Sequence, residues 1–387
     1  MDIKTLDHQY VANTYKRFPV EIVSGHGSVV TDRDGKDYID LGTGIAVNAF
    51  GMGDAQWQEA VIDQIHKFQH TSNLYYTEPC ARLAQLLCEK TGMKKVFFSN
   101  SGAEANECAI KVARKYAAEK KGPDYYTILT LEHSFHGRTL TTLAATGQDE
   151  FHKDFQPLTP GFVHAKVNDL ADVLEKARTH KLAGILIEVV QGEGGVIKLD
   201  EDFVQGIAQL CREQDIVLMC DEVQVGNGRS GYLYGYMHYG IQPDVFTTAK
   251  GLCAGLPLGA TVLGEKVESV LGYGDNGSTF GGNPICCAGA ISTLSRMDEA
   301  LLAGVRERSE RIVSALTGKK GVKSVSGLGL LLGIDPERDC GTVINECLEE
   351  GVLVLSAHGK VRLLPALNIP LDQLDQALAV LVEVLGR

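Results

Sequence analysis

Ile216-Val217-Leu218-Met219-Cys220-Asp221 and, further on, Val245-Phe246-Thr247-Thr248-Ala249-Lys250 are two apolar runs that each end on a charge. Short runs of this kind read as strands buried on both faces, the pattern of a parallel sheet covered by its crossovers. Further candidate strands lie at Val96–Ser99, Tyr126–Leu131, Gly184–Val190 and Ala260–Gly264. Helical patterns at Ala103–Lys120, Asp169–His180 and Glu201–Gln214 fall between several of them. The alternation predicts βαβ units and an α/β fold with a large central, mostly parallel sheet. Ligands in such sheets bind at the carboxyl ends of the strands. Asp221 and Lys250 therefore stand where chemistry is expected.

Outward from this centre the pattern changes. Residues 20–47 read as short strands with turns at Gly25-His26-Gly27 and Asp34-Gly35-Lys36. From about residue 285 the sequence predicts a long helix through Arg296–Leu316, a short sheet and a closing helix over Leu371–Leu385. We expect a small α+β domain built from both termini (1–50 and 281–387) around a large domain over 51–280.

The 387 residues carry 37 basic and 49 acidic side chains, a formal charge of −12. That balance gives no basic footprint for nucleic acid and opposes anionic membranes. No apolar run approaches the ~20 residues of a membrane span. Residues 1–18, with Asp2 and Asp7, do not read as a signal peptide. The ten cysteines are scattered singly apart from Cys286-Cys287, without zinc spacing. The expectation is a cytoplasmic protein with reduced thiols and no metal.

Asp221 and Lys250 are 250 − 221 = 29 residues apart. A lysine in such a cleft can be desolvated to a neutral amine able to form a Schiff base. A neighbouring aspartate can hold a pyridine nitrogen protonated. An ion pair between adjacent strands is the alternative. Ser99-Asn100-Ser101-Gly102-Ala103 leads from a strand into a helix, with Ser101 as N-cap and Gly102 open to close approach. Its free N–H groups make an anion site, or simply a helix cap. Phe135 and Arg138 in Ser134-Phe135-His136-Gly137-Arg138 could stack on a ring and clamp a carboxylate. His136 reads as a structural histidine. Glu193 lies in the glycine-rich loop Gln191–Gly195, and Arg362 sits alone in an apolar stretch, where it needs a partner. Gly226–Gly231 and Gly272–Gly277 are literal GxGxxG strings, the sole support for a nicotinamide-dependent dehydrogenase. Neither opens a convincing helix after a strand.

Taken in order, these stretches resemble the class III, fold-type I aminotransferases. The likeness also takes in Gly44–Asn48, Ser72–Tyr76, Asp221-Glu222-Val223-Gln224, Ala249–Leu252 and Ser278-Thr279-Phe280-Gly281-Gly282-Asn283-Pro284. It implies a pyridoxal 5′-phosphate enzyme in which Lys250 carries the cofactor and Asp221 pairs with its ring nitrogen. Phe135 and Val223 would flank the ring, and Gln224 would lie near its hydroxyl. Ser101, Gly102 and Ala103 would hold the phosphate, together with Thr279 of the partner subunit in a homodimer. Arg138, Ser278, Glu193 and Arg362 would serve the substrate. The implied reaction moves the terminal amino group of N2-acetyl-L-ornithine to 2-oxoglutarate. Ornithine, succinylornithine, N-acetyllysine and 4-aminobutyrate are alternative donors. The chain departs from the family pattern at Val189-Val190, at Val225 and Asn227 (where Thr and Met are usual), and at Cys253-Ala254.

Overall fold

The computed structural model describes residues 2–387. Its centre is a seven-stranded sheet of β1 (Lys95–Ser99), β2 (Thr127–Leu131), β3 (Phe162–Ala165), β4 (Leu182–Ile187), β5 (Val217–Asp221), β6 (Val245–Thr248) and β7 (Gly259–Leu263). The strand order is β1-β7-β6-β5-β4-β2-β3. Strands β3, β2, β4, β5 and β6 run parallel, and β7 is antiparallel to both β6 and β1. Strands β4 and β5 are buried at every position. This is why they read as unbroken apolar runs, each fully buried Leu or Ile contributing about 1.5–3 kcal/mol. The parallel register pairs Asp221 with Thr247, so both chain segments leave the sheet at the same edge.

Helix α1 (Gly102–Lys121) covers one face of the sheet, burying Ala105, Ala109, Val112, Ala113 and Tyr116. Their three- and four-residue spacing is a stripe pointing at the sheet. Lys120 and Lys121 complement its carboxyl end, and Gly122 stops it. The N-terminal strands Ile22–His26, Val29–Asp32 and Asp37–Asp40 form a second sheet, completed by Val352–Leu353 from near the other end of the chain. A third sheet joins Val322–Leu328, Leu331–Pro336, Leu355–Ala357 and Lys360–Leu363. The smaller α+β part is thus built from both termini. No described helix is long and apolar enough to cross a membrane. All ten cysteines are free thiols.

Two expectations are corrected. The helix expected from Arg296 begins at Glu299; a separate helix, Pro284–Ser295, precedes it. Asp298 caps the second helix by accepting a hydrogen bond from Leu301 N at 2.9 Å, and an N-cap residue has non-helical backbone. The run Gly184–Val190 is divided: β4 ends at Ile187, and Val190-Gln191 pair instead with Ile197-Lys198.

Candidate active site

At the carboxyl edge of the sheet lies a cavity of about 500 Å³. Ser101, Gly102, Ala103, Phe135, Arg138, Asp221, Val223, Gln224 and Lys250 all line it, as do Asn106, His136 and Glu188. Asp221 is 4% exposed, and its carboxylate accepts three hydrogen bonds. Asn106 Nδ2 donates to Oδ2 at 2.7 Å, His136 Nδ1 stands 2.8 Å from the same oxygen, and Val223 N donates to Oδ1 at 3.0 Å. Thr247 Oγ1 fixes Asn106 by donating to its Oδ1 at 2.6 Å. These donors fix the position and orientation of the carboxylate. His136 is therefore a structural histidine, and what it supports is Asp221.

Lys250 follows β6 with a left-handed backbone, φ 44°. Burial lowers its pKa from the ordinary lysine value, with Glu193 opposing the shift. That shift favours the neutral, nucleophilic amine. Glu188, also in the wall, accepts from Phe135 N at 2.8 Å. Burial and then the Asp221 charge push its carboxyl well above the ordinary range.

Opposite the charges, helix α1 points its amino end at the cavity. Ser101 Oγ accepts from Glu104 N at 3.2 Å, the expected N-cap. Among the described residues, the N–H groups of Gly102 and Ala103 have no acceptor. A Cβ on Gly102 would lie 2.6 Å from Val223 Cγ1, so glycine is required for the helix end to approach this closely. Two free N–H groups at a helix start suit an anion such as phosphate.

Arg362, 3% exposed, donates through Nη1 to Glu193 Oε1 at 2.6 Å, Gln224 Oε1 at 3.0 Å and Gly192 O at 3.1 Å. Gln224 Nε2 in turn donates to Glu193 at 3.2 Å. Burial raises the Glu193 pKa, but the Arg362 guanidinium outweighs it and holds the carboxyl below its ordinary value. Arg362 Nε is buried without a partner among the described residues. Arg138 is exposed at the mouth, 3.9 Å above the Phe151 ring and 5.5 Å from that of Phe135. It makes no ion pair among the described residues. Ser278 and Thr279 do not line this cavity: Ser278 Oγ accepts from Asn100 Nδ2 at 3.1 Å, and Thr279 is exposed. Glu222 points away, accepting from Gly235 N and Tyr236 N at 2.6 and 2.8 Å. Burial raises it to about 7 against those two donors. It supports the loop after β5.

Residues 10–385 match the family Aminotransferase class-III. The chain is a class-III aminotransferase. It is 48% identical to the acetylornithine aminotransferase of Haemophilus ducreyi, over 100% of this chain and 98% of that one. Among solved structures, the ornithine aminotransferase of Toxoplasma gondii superposes with a TM-score of 0.95 at 29% identity, covering 99% and 94% of the two chains. The N-acetylornithine aminotransferase of Stenotrophomonas maltophilia does so with 0.84 at 31% identity, covering 98% and 97%.

A class-III aminotransferase is a pyridoxal-phosphate enzyme, and this cavity fits that group. The free helix end suits its phosphate, the carboxylate of Asp221 its ring nitrogen, and the amine of Lys250 its aldehyde. The two GxGxxG strings lie in turns and loops, not at a strand-to-helix junction, so the dehydrogenase reading falls. Sequence reasoning assigns no role to Asn106, Glu188 or Asn227. Their partners are distant in sequence, and only the carboxylate ending the Gly184–Ile187 run signals any of them.

Proposed function

We propose that this class-III aminotransferase transfers the terminal amino group of N2-acetyl-L-ornithine to 2-oxoglutarate. The products are N-acetyl-L-glutamate 5-semialdehyde and L-glutamate, a step of arginine biosynthesis. The observation that carries this reading is the pairing of buried Arg362 with half-buried Glu193 at 2.6 Å beside Gln224, with Arg138 free at the mouth. A donor reacting through its terminal amine brings no carboxylate to the carbon that reacts. Arg362 must then be neutralised from within the protein, because an unpaired buried charge is costly. The keto acid has a carboxylate at each end and needs both arginines. Glu193 would swing off Arg362 in that half-reaction only. The acetylornithine aminotransferases among its relatives support the choice of donor.

Bound pyridoxal phosphate supplies an aldehyde carbon that exchanges amines and a protonated ring that takes up electrons. We assign its phosphate to Ser101, Gly102 and Ala103, its ring faces to Phe135 and Val223, and its ring hydroxyl to Gln224. Asp221 holds the ring nitrogen protonated through charge. Lys250 carries the group between turnovers and moves the proton at Nζ during them. Arg138 clamps the far carboxylate of either substrate bidentately. We further propose a cytoplasmic homodimer in which Ser278 and Thr279 complete the partner subunit's cavity. The chain would divide at about residues 50 and 280 into the small and large domains.

The deciding experiment is the visible spectrum before and after adding N-acetylornithine without keto acid. The yellow band should bleach and return on adding 2-oxoglutarate. A protein that stays yellow with this donor but bleaches with ornithine or 4-aminobutyrate would overturn the assignment of the donor.

A further inference from the structure

The loop after β5 carries a residue that the family resemblance does not explain. Asn227 stands where methionine is usual, is 3% exposed, and adopts a left-handed backbone with φ 54°. Asparagine is among the few side chains that tolerate this region. Its side chain reaches across to the strand bearing the lysine. Nδ2 donates to Ala249 O at 3.1 Å and to Thr248 Oγ1 at 2.9 Å, and Thr248 Oγ1 lies 3.3 Å from Asn227 Oδ1. Methionine can make none of these bonds.

Ala249 O belongs to the peptide that enters Lys250. Ala249 itself is extended, and Lys250 then turns left-handed at φ 44°. A non-glycine residue in that region is strained and persists only where its surroundings over-determine it. Among the described residues, two groups grip the carbonyl ahead of the turn: Leu252 N, at 2.8 Å from within the turn, and Asn227 from outside it. The amide is thus the side chain that ties the Lys250 backbone to the loop following Asp221.

We propose that Asn227 is a positioning residue for Lys250: its amide, bonded to Ala249 O and Thr248 Oγ1, fixes the peptide from which Nζ is aimed into the cavity. The proposal rests on the reading of Lys250 as the cofactor-bearing residue, and its test keeps the two apart. The holoenzyme is compared with Asn227→Gly, which keeps left-handed freedom but removes the amide, and with Asn227→Met, the residue usual in the family. The readouts are the pH midpoint of the visible band without substrate, kcat and KM for the donor, and Tm. In both variants the midpoint should move by at least about half a unit. In both, kcat should fall about 5- to 10-fold, roughly the effect of one lost hydrogen bond, with KM within about twofold. Wild-type midpoint and kcat in both variants, even with a lowered Tm, would overturn the proposal. So would a change confined to Asn227→Met, since that isolates crowding at a left-handed position. If Lys250→Ala still shows a pH-dependent yellow band, the reading of Lys250 fails instead.

Discussion

Single residues at this site are chosen by what each would cost unpaired. Arg362 and Glu193 are the sharpest case. Arg362 is buried and Glu193 half-buried, so removing the acid leaves a buried guanidinium held only by Gln224 and Gly192, at a cost below the ~3–5 kcal/mol of a fully buried pair. On the proposed reading, in which Arg362 receives the α-carboxylate of the keto acid, Glu193→Ala leaves the guanidinium without its carboxylate partner in both half-reactions. A substrate with a carboxylate there satisfies it; a terminal amine donor does not. Single-turnover rates should consequently fall about tenfold more with N-acetylornithine than with glutamate. Equal losses in the two would sink the switch. At this scale the sequence is informative where a charge interrupts an apolar run, as at Asp221, Lys250 and Arg362. It is silent where the partner lies far along the chain: nothing near His136 announces that it supports Asp221, 85 residues on.

Secondary-structure elements are legible in proportion to their burial. Strands β4, β5 and β6 show themselves because both faces are covered, which leaves no polar alternation to confuse them. The strand β3 (Phe-Val-His-Ala) does not: it is four residues long, lies at the sheet edge and is only partly buried. Its His164 should contribute to a loss of stability in acid. Burial, helped by His152 and His136 nearby, lowers the pKa of His164 to about 4. Thr130 Oγ1 lies 2.7 Å from its Nδ1. A base whose folded value lies below its unfolded one, about 6.5, stabilises the fold fully above that pH. The contribution is lost as pH falls from about 6.5 through 4, and amounts to roughly 3 kcal/mol. His164→Gln should flatten that limb of the curve of unfolding free energy against pH. An unchanged slope between those values would assign the acid response to other groups.

The whole molecule leaves several large apolar and aromatic side chains exposed to water. Leu74 is 87% exposed, Tyr76 and Tyr273 are fully exposed, and Phe280 is 61% exposed. In the proposed homodimer, the exposed side chains of the 72–76 and 278–282 stretches would form the interface. The stretch around Leu74 touches the one around Phe280: Asn73 Nδ2 donates to Ser278 O and Gly281 O at 3.0 and 2.9 Å. Thr279 lies in the second stretch, exposed and outside its own chain's cavity. A twofold dimer through this surface would give each cavity a threonine from its neighbour, and a mixed dimer tests the arrangement directly. Lys250→Ala should be inactive by loss of its amine, and Thr279→Asp by repulsion of the phosphate it would otherwise hold. Co-expressed, the two chains form a mixed dimer in which one cavity combines an intact Lys250 with an intact Thr279. Random pairing makes half the dimers mixed, so about a quarter of the wild-type activity should return. Recovery requires that the threonine act across the interface. If Thr279 served its own chain, every cavity would carry one defect and co-expression would restore nothing.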